Sequence, residues 1–181
     1  MAKHTHFTTR QLVYCGTAMA LAMVCSLIKF TNLPMGGSCT LCSMLFIVLI
    51  GYWYGPAIGL ITGFAYGMLQ FIIEPIFYTL PQVLIDYPLA FGALGLSGFF
   101  SGKKHGLQLG YLIGVMGRYI FSIFSGIIFF GSYAPEETPA FLYSAGYNAT
   151  YIIPEAVITF IVISIPAVSK ALGQIRKNAL A

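Results

Sequence analysis

Gly55-Pro56-Ala57-Ile58-Gly59-Leu60-Ile61-Thr62-Gly63-Phe64-Ala65-Tyr66-Gly67-Met68-Leu69-Gln70-Phe71-Ile72-Ile73 is a charge-free run nineteen residues long. A helix crossing the hydrocarbon of a bilayer needs about 20 predominantly apolar residues, so this run has the length of a span. Glycine recurs at 55, 59, 63 and 67. Four-residue spacing puts these positions on one helix face with no side chains, the kind of surface on which another membrane helix approaches closely. The rest of the chain agrees. Of its 181 residues 58% are hydrophobic and 8% charged, against roughly 25% charged in soluble domains. Apolar runs punctuated by Gly, Pro and charge predict helices at 10–30, 41–54, 56–74, 84–101, 107–131 and 148–170. The expected fold is an all-α membrane protein, a bundle of six transmembrane helices in one domain covering residues 1–181. The polar, glycine-rich segment Thr31 to Ser38 is unsuited to lipid and is expected to form an ordered loop, with 31–40 as a lid at the rim.

Seven of the nine basic residues lie in three places: Lys3 and Arg10 near the start, Lys103 and Lys104 after the fourth span, and Lys170, Arg176 and Lys177 after the sixth. None of these places holds an acid. The positive-inside rule then puts both termini in the cytoplasm, with Glu74, Asp86, Glu136 and Glu137 at or near the outer face. The polar start leads into an apolar stretch of spanning length without a clear cleavage site, so the first helix is expected to be retained. Localisation as a multi-pass membrane protein follows. Cys39 and Cys42 have C-x-x-C spacing, but no second cysteine pair or nearby histidine completes a metal site, and none is expected.

An ionisable side chain inside a bilayer costs several kcal/mol unless paired or hydrated, which makes each one a functional candidate. Asp86 near the outer start of the fourth span, Arg118 near the middle of the fifth and Glu155 in the outer half of the sixth qualify. Arg118 and Glu155 have two readings, ligand contacts or a structural ion pair. Arg118, Ser122, Gly126 and Phe130 follow at four-residue steps and form one face climbing outward, a polar floor meeting an aromatic rim. Tyr78, Tyr87, Tyr133, Tyr143, Tyr147 and Asn148 surround it along the chain; they suit either a cage for a flat or cationic ligand or an aromatic belt at the headgroups. Ala18, Ala22 and Ser26 give the first span a smooth face, for internal packing or for a partner.

Enzyme signatures are missing. There is no H-E-x-x-H or G-x-S-x-G. The Gly102-Lys103 sequence lacks both the first glycine and the Ser or Thr of a phosphate-binding loop, with Ser97 and Lys104 in those places. No nucleophile is paired with a base.

Leu33-Pro34-Met35-Gly36-Gly37-Ser38, the segment Val83 to Phe91 with its Asp86-Tyr87-Pro88, Ser125-Gly126-Ile127-Ile128-Phe129-Phe130, and Tyr143-Ser144 followed by Tyr147-Asn148 together resemble the thiamine-specific substrate-binding subunits (S-components) of energy-coupling factor transporters. The likeness runs from the first span to Pro154-Glu155-Ala156. It implies a thiamine pocket near the outer face beneath the loop joining the first two spans, and no cofactor in the chain itself. As partners it implies a membrane coupling subunit and two cytoplasmic ATPases that hydrolyse ATP, docked partly through Ala18 and Ala22; no nucleic acid is expected. By this resemblance Asp86 hydrogen-bonds the aminopyrimidine and Tyr87 lines the same side. Phe130 packs on the thiazolium, Tyr143 and Asn148 supply polar positions, and Arg118 is a deeper basic one. Gly37, Tyr78 and Gly126 complete the expected pocket with Ser122.

Two positions depart from the family pattern. Ser122 stands where a histidine is expected, so either serine and a water replace the imidazole or the ligand is a thiamine precursor or another vitamin. Tyr52-Trp53-Tyr54 stands where basic residues are usual after the second span. The reading from a different class is a membrane-embedded enzyme or sensor built on Asp86, Arg118 and Glu155.

Overall fold

The computed structural model describes residues 7–181; Lys3, His4 and His6 lie outside the described residues. Helices α1 (Thr9–Leu27), α2 (Ser43–Tyr54), α3 (Pro56–Ile73), α4 (Leu80–Phe100), α5 (Gly106–Phe129), α6 (Ala140–Ser164) and α7 (Pro166–Leu180) follow in order. Five of them, α1, α3, α4, α5 and α6, are long and apolar enough to cross a membrane, and α2 is a shorter apolar helix. Large apolar side chains such as Leu12, Ile72, Met116, Ile128 and Ile161 are half or more exposed around the outside, the arrangement expected where lipid is the solvent.

Local chemistry sets the helix ends. Thr8 accepts the Gln11 N–H at 3.2 Å while the Gln11 side chain accepts the Thr8 N–H at 2.9 Å, a capping box that starts α1. Gly55, at φ +93°, turns the chain between α2 and α3, and Pro56 begins α3 where a missing N–H costs nothing. Thr79 caps α4 through the Gln82 N–H at 3.3 Å. Inside α4, Pro88 has no N–H for the helical ladder and the backbone passes through a π-turn at Ile85–Leu89. It then tightens to a 3-10 helix over Ala93–Phe100.

α2 is the centre of the bundle, with Met44, Ile47, Val48 and Ile50 fully buried. The glycine face of α3 meets α4. A Cβ on Gly59 would lie 2.9 Å from the Gly95 Cα, on Gly63 2.4 Å from the Phe91 carbonyl, and on Gly67 2.3 Å from the Tyr87 carbonyl. Because lipid tails are as apolar as leucine, such close backbone packing supplies what hydrophobic burial does in water. Gly55 serves the turn instead of this face.

Three expectations need correction. The last long helix begins at Ala140, eight residues before the expected 148, since Tyr143, Ser144 and Tyr147 turn toward the interior cavity and need no lipid-compatible side chain. The segment after Ser164 is a separate helix, restarted by Pro166. Ala18 and Ala22 are 7% and 0% exposed, packed within the chain, so they are not a surface onto which a partner docks here. Along the middle of α1 the exposed small residues are Gly16, Thr17 and Ala20.

Candidate functional site

A cavity of about 400 Å³ opens at one end of the bundle, between the ends of α1 and α3, the π-turn of α4, the C-terminal half of α5, the N-terminal half of α6, and the 28–42 loop. Its size falls within the range of small-molecule sites. Gly37, Asp86, Tyr87, Arg118, Ser122, Gly126, Phe130, Tyr143 and Asn148 all line it. Tyr78 does not. Its ring stands edge-on against Phe130 with centroids 4.9 Å apart, so it backs the aromatic rim.

The π-turn aims Asp86 into the cavity, and Gln82, one turn earlier and fully buried, donates from Nε2 to Asp86 Oδ2 at 2.7 Å. Gln82 is itself fixed, donating to the Ile76 carbonyl at 3.3 Å and accepting the Tyr78 N–H at 3.2 Å. That chain of bonds sets the orientation of the carboxylate. Tyr87 lines the same side, yet its hydroxyl is engaged: it donates to the Glu74 carbonyl and accepts the Ile76 N–H, both at 2.9 Å. That pins the 74–76 segment beside the cavity.

On the opposite wall the Asn148 amide donates to the Ser144 carbonyl at 2.9 Å and the Ser122 carbonyl at 3.3 Å, and its oxygen accepts from the Tyr151 hydroxyl. Asn148 thus locks α5 to α6 and orients Tyr151. Gly126 is required here, because a Cβ would fall 2.0 Å from Ser144 Oγ. Arg118 lies over the Phe91 ring, 4.2 Å from its centroid, a cation–π contact in the cavity wall.

Glu155 does not meet Arg118; among the described residues the one ion pair is Lys29 with Glu74. The Glu155 carboxylate, 2% exposed, accepts Thr40 Oγ1 at 2.7 Å and the Thr40 N–H at 3.3 Å on one oxygen. On the other it accepts Ser43 Oγ at 3.0 Å and the Met44 N–H at 3.2 Å. It caps α2 from a neighbouring helix, where negative charge is favoured, and ties the far end of the 28–42 loop to α6.

The lid is folded. Phe30 donates to the Cys39 carbonyl at 2.9 Å and Leu33 to the Gly37 carbonyl at 2.8 Å. Gly37 donates to the Tyr147 hydroxyl at 3.1 Å, and a side chain on it would strike the Tyr151 ring at 2.8 Å. Burial, with the nearby Glu155 carboxylate, pushes the Cys39 thiol up. Sequence reasoning missed Gln82, Gln70 and Tyr151 as cavity residues; Gln82 stands one helical turn before Asp86, a spacing that is a usable signal.

A family model described as "Thiamine transporter protein" matches residues 12–173. The thiamine transporter ThiT of Bacillus subtilis is 36% identical over 169 residues, covering 84% of this chain and 88% of that protein. ThiT of Lacticaseibacillus paracasei is 28% identical over 120 residues, covering 57% and 60%. The solved structure of ThiT from Listeria monocytogenes superposes with a TM-score of 0.79 at 25% identity, covering 90% of this chain and 96% of that one. Extent and identity agree across sequence and fold, and the chain belongs to the thiamine transporter protein family, whose members are multi-pass membrane transporters and not enzymes.

Proposed function

We propose that this chain is the substrate-binding subunit of an ATP-driven importer and captures thiamine in the cavity beneath the 28–42 lid. The carrying observation is the pairing of a carboxylate held by Gln82 with the aromatic rim of Phe130 in one cavity. Asp86 accepts the amino group of the pyrimidine in a charge-assisted hydrogen bond. Phe130 faces the thiazolium, where a desolvated cation over an aromatic ring gains about 2 kcal/mol. Gln82, Asn148 and Gly126 act as positioning residues, holding the walls that present these groups. Tyr143, Tyr147 and Tyr151 close the side under the lid.

In this reading α2 is the sixth crossing, buried by its neighbours and so free of the usual length requirement, and both termini are cytoplasmic. The concentration of Lys103, Lys104, Lys170, Arg176 and Lys177 away from the cavity supports that orientation. A membrane coupling subunit with two ATPases supplies the energy. The exposed Gly16, Thr17 and Ala20 face of α1 offers it a close-packing surface, in place of Ala18 and Ala22.

Ser122 on the cavity wall favours a second reading in which a thiamine precursor is the ligand. Calorimetric titration of the detergent-purified protein with thiamine, and separately with its pyrimidine and thiazole halves, decides between them. One-to-one binding of thiamine much tighter than either half supports the proposal. Heat from a half or precursor alone keeps the architecture and overturns the substrate.

A further inference from the structure

A second cavity, of about 370 Å³, lies between the end of α2, the 101–105 turn, the start of α5 and one face of α7. Lys103, His105, Arg176 and Lys177 line it and no acid does; the five acids of the chain are Glu74, Asp86, Glu136, Glu137 and Glu155, all elsewhere.

Arg176 is held in place and left uncompensated. Its guanidinium sits 4.5 Å from the Tyr52 ring centroid, donates to the Tyr52 hydroxyl at 3.3 Å and donates to Ser101 Oγ at 3.0 Å. Its Nε is buried with no hydrogen-bond partner. A buried donor on a charged group without an acceptor is costly unless something fills the gap. Leu107 and Gln108, in the first turn of α5, also line the cavity, and a helix leaves its first N–H groups without intrahelical acceptors. A fixed guanidinium, two exposed lysines and the start of a helix bordering one space are a recognition set for phosphate.

We propose that this cavity binds the phosphate of an anionic phospholipid. Lipid is favoured over a soluble phosphate because apolar side chains on the flanking helices are exposed: Phe99 at 61%, Ile175 at 41% and Leu180 at 53%. Acyl chains cover such side chains while the headgroup meets the cations, the pattern of basic pockets between membrane helices. Tyr52, at the end of α2, thereby orients a basic residue delivered by α7. The orientation proposed above decides only which leaflet supplies the lipid.

The test uses the full chain, delipidated in neutral detergent, with bound lipid counted by native mass spectrometry. Phosphatidylglycerol is compared with phosphatidylcholine, and inorganic phosphate and glycerol 3-phosphate are added as competitors. The expected result is one retained phosphatidylglycerol, favoured over phosphatidylcholine, with an affinity falling roughly fivefold for each cation removed in Lys103→Gln and Lys177→Gln. Both lysines are exposed, so these variants are expected to fold; an unchanged thermal unfolding transition in detergent checks this. Arg176→Gln removes the fixed group and is expected to abolish the preference. Equal retention of the two lipids, or full retention by the Lys103→Gln/Lys177→Gln double variant, overturns the proposal. Displacement by glycerol 3-phosphate at equal concentration overturns the lipid assignment in favour of a soluble phosphate. None of these outcomes depends on the identity of the imported vitamin.

Discussion

Glu155→Gln is the substitution whose effect the structure specifies most closely. The carboxylate takes two donors on each oxygen: Thr40 Oγ1 and the Thr40 N–H on one, Ser43 Oγ and the Met44 N–H on the other. A glutamine keeps one accepting oxygen and presents an NH2 where the other was. The hydroxyl on that side can rotate and accept, but the backbone N–H beside it cannot, so one buried donor is orphaned. A hydrogen bond to a charged group is worth roughly 1.5–3 kcal/mol net, giving an expected loss of about 2–3 kcal/mol. Glu155→Leu orphans both N–H groups, while Thr40 Oγ1 and Ser43 Oγ, already 2.8 Å apart, still satisfy each other; its expected loss is about 3–5 kcal/mol. Thermal unfolding in detergent should rank the proteins Glu, then Gln, then Leu. Combining Glu155→Gln with Arg118→Met tests independence, since sites without shared partners add within about 0.5 kcal/mol. Wild-type stability in Glu155→Gln, or a strong rescue by the Arg118 change, would refute the capping argument and restore the ion pair.

Asp86→Asn should lower thiamine affinity at least tenfold in calorimetry with unfolding unchanged, and Gln82→Ala should lower it less, because the carboxylate remains but loses its 2.7 Å tether. Gly67→Ala should cost about 1–3 kcal/mol and weaken binding, since its Cβ meets the Tyr87 carbonyl, whereas Gly146→Ala, with open space around it, should be neutral or stabilising. In a variant retaining Cys39 as its sole cysteine, burial and the raised thiol pKa predict slow maleimide labelling at pH 7, faster as pH rises because the thiolate is the nucleophile; Lys29→Met, which frees the lid from Glu74, should speed it. Ala20→Trp should leave thiamine binding intact and abolish uptake supported by the coupling module, and Ala22→Trp should destabilise the chain itself, Ala22 being fully buried.

The fold was legible where composition and periodicity act on every residue of a segment. Apolar runs located the helices, and glycines at 59, 63 and 67 announced a close helix contact. What they could not announce was the other side of that contact, because a glycine face is equally open to any neighbour. The Ala18 and Ala22 face illustrates the same limit: small residues at four-residue spacing serve internal packing or a partner alike, and only burial separates the two. Nor could spacing show that Glu155 points to α2, a contact 112 residues distant in sequence through Ser43.

The cavity residues were legible for a different reason. Asp86 and Pro88 are each expensive in the interior of a membrane helix, one for its charge and the other for its missing N–H, and here one solution accommodates both. Pro88 forces the π-turn, the π-turn widens the helix at Asp86, and Gly67 lets α3 close onto the carbonyl of Tyr87 at that widened point. The glycine face of α3 and the acid of α4 were therefore not two independent signals, one architectural and one functional. The backbone irregularity that aims this carboxylate inward is backed by a neighbouring helix packed against it without side chains, so the stripe that marks the fold also holds Asp86 in place.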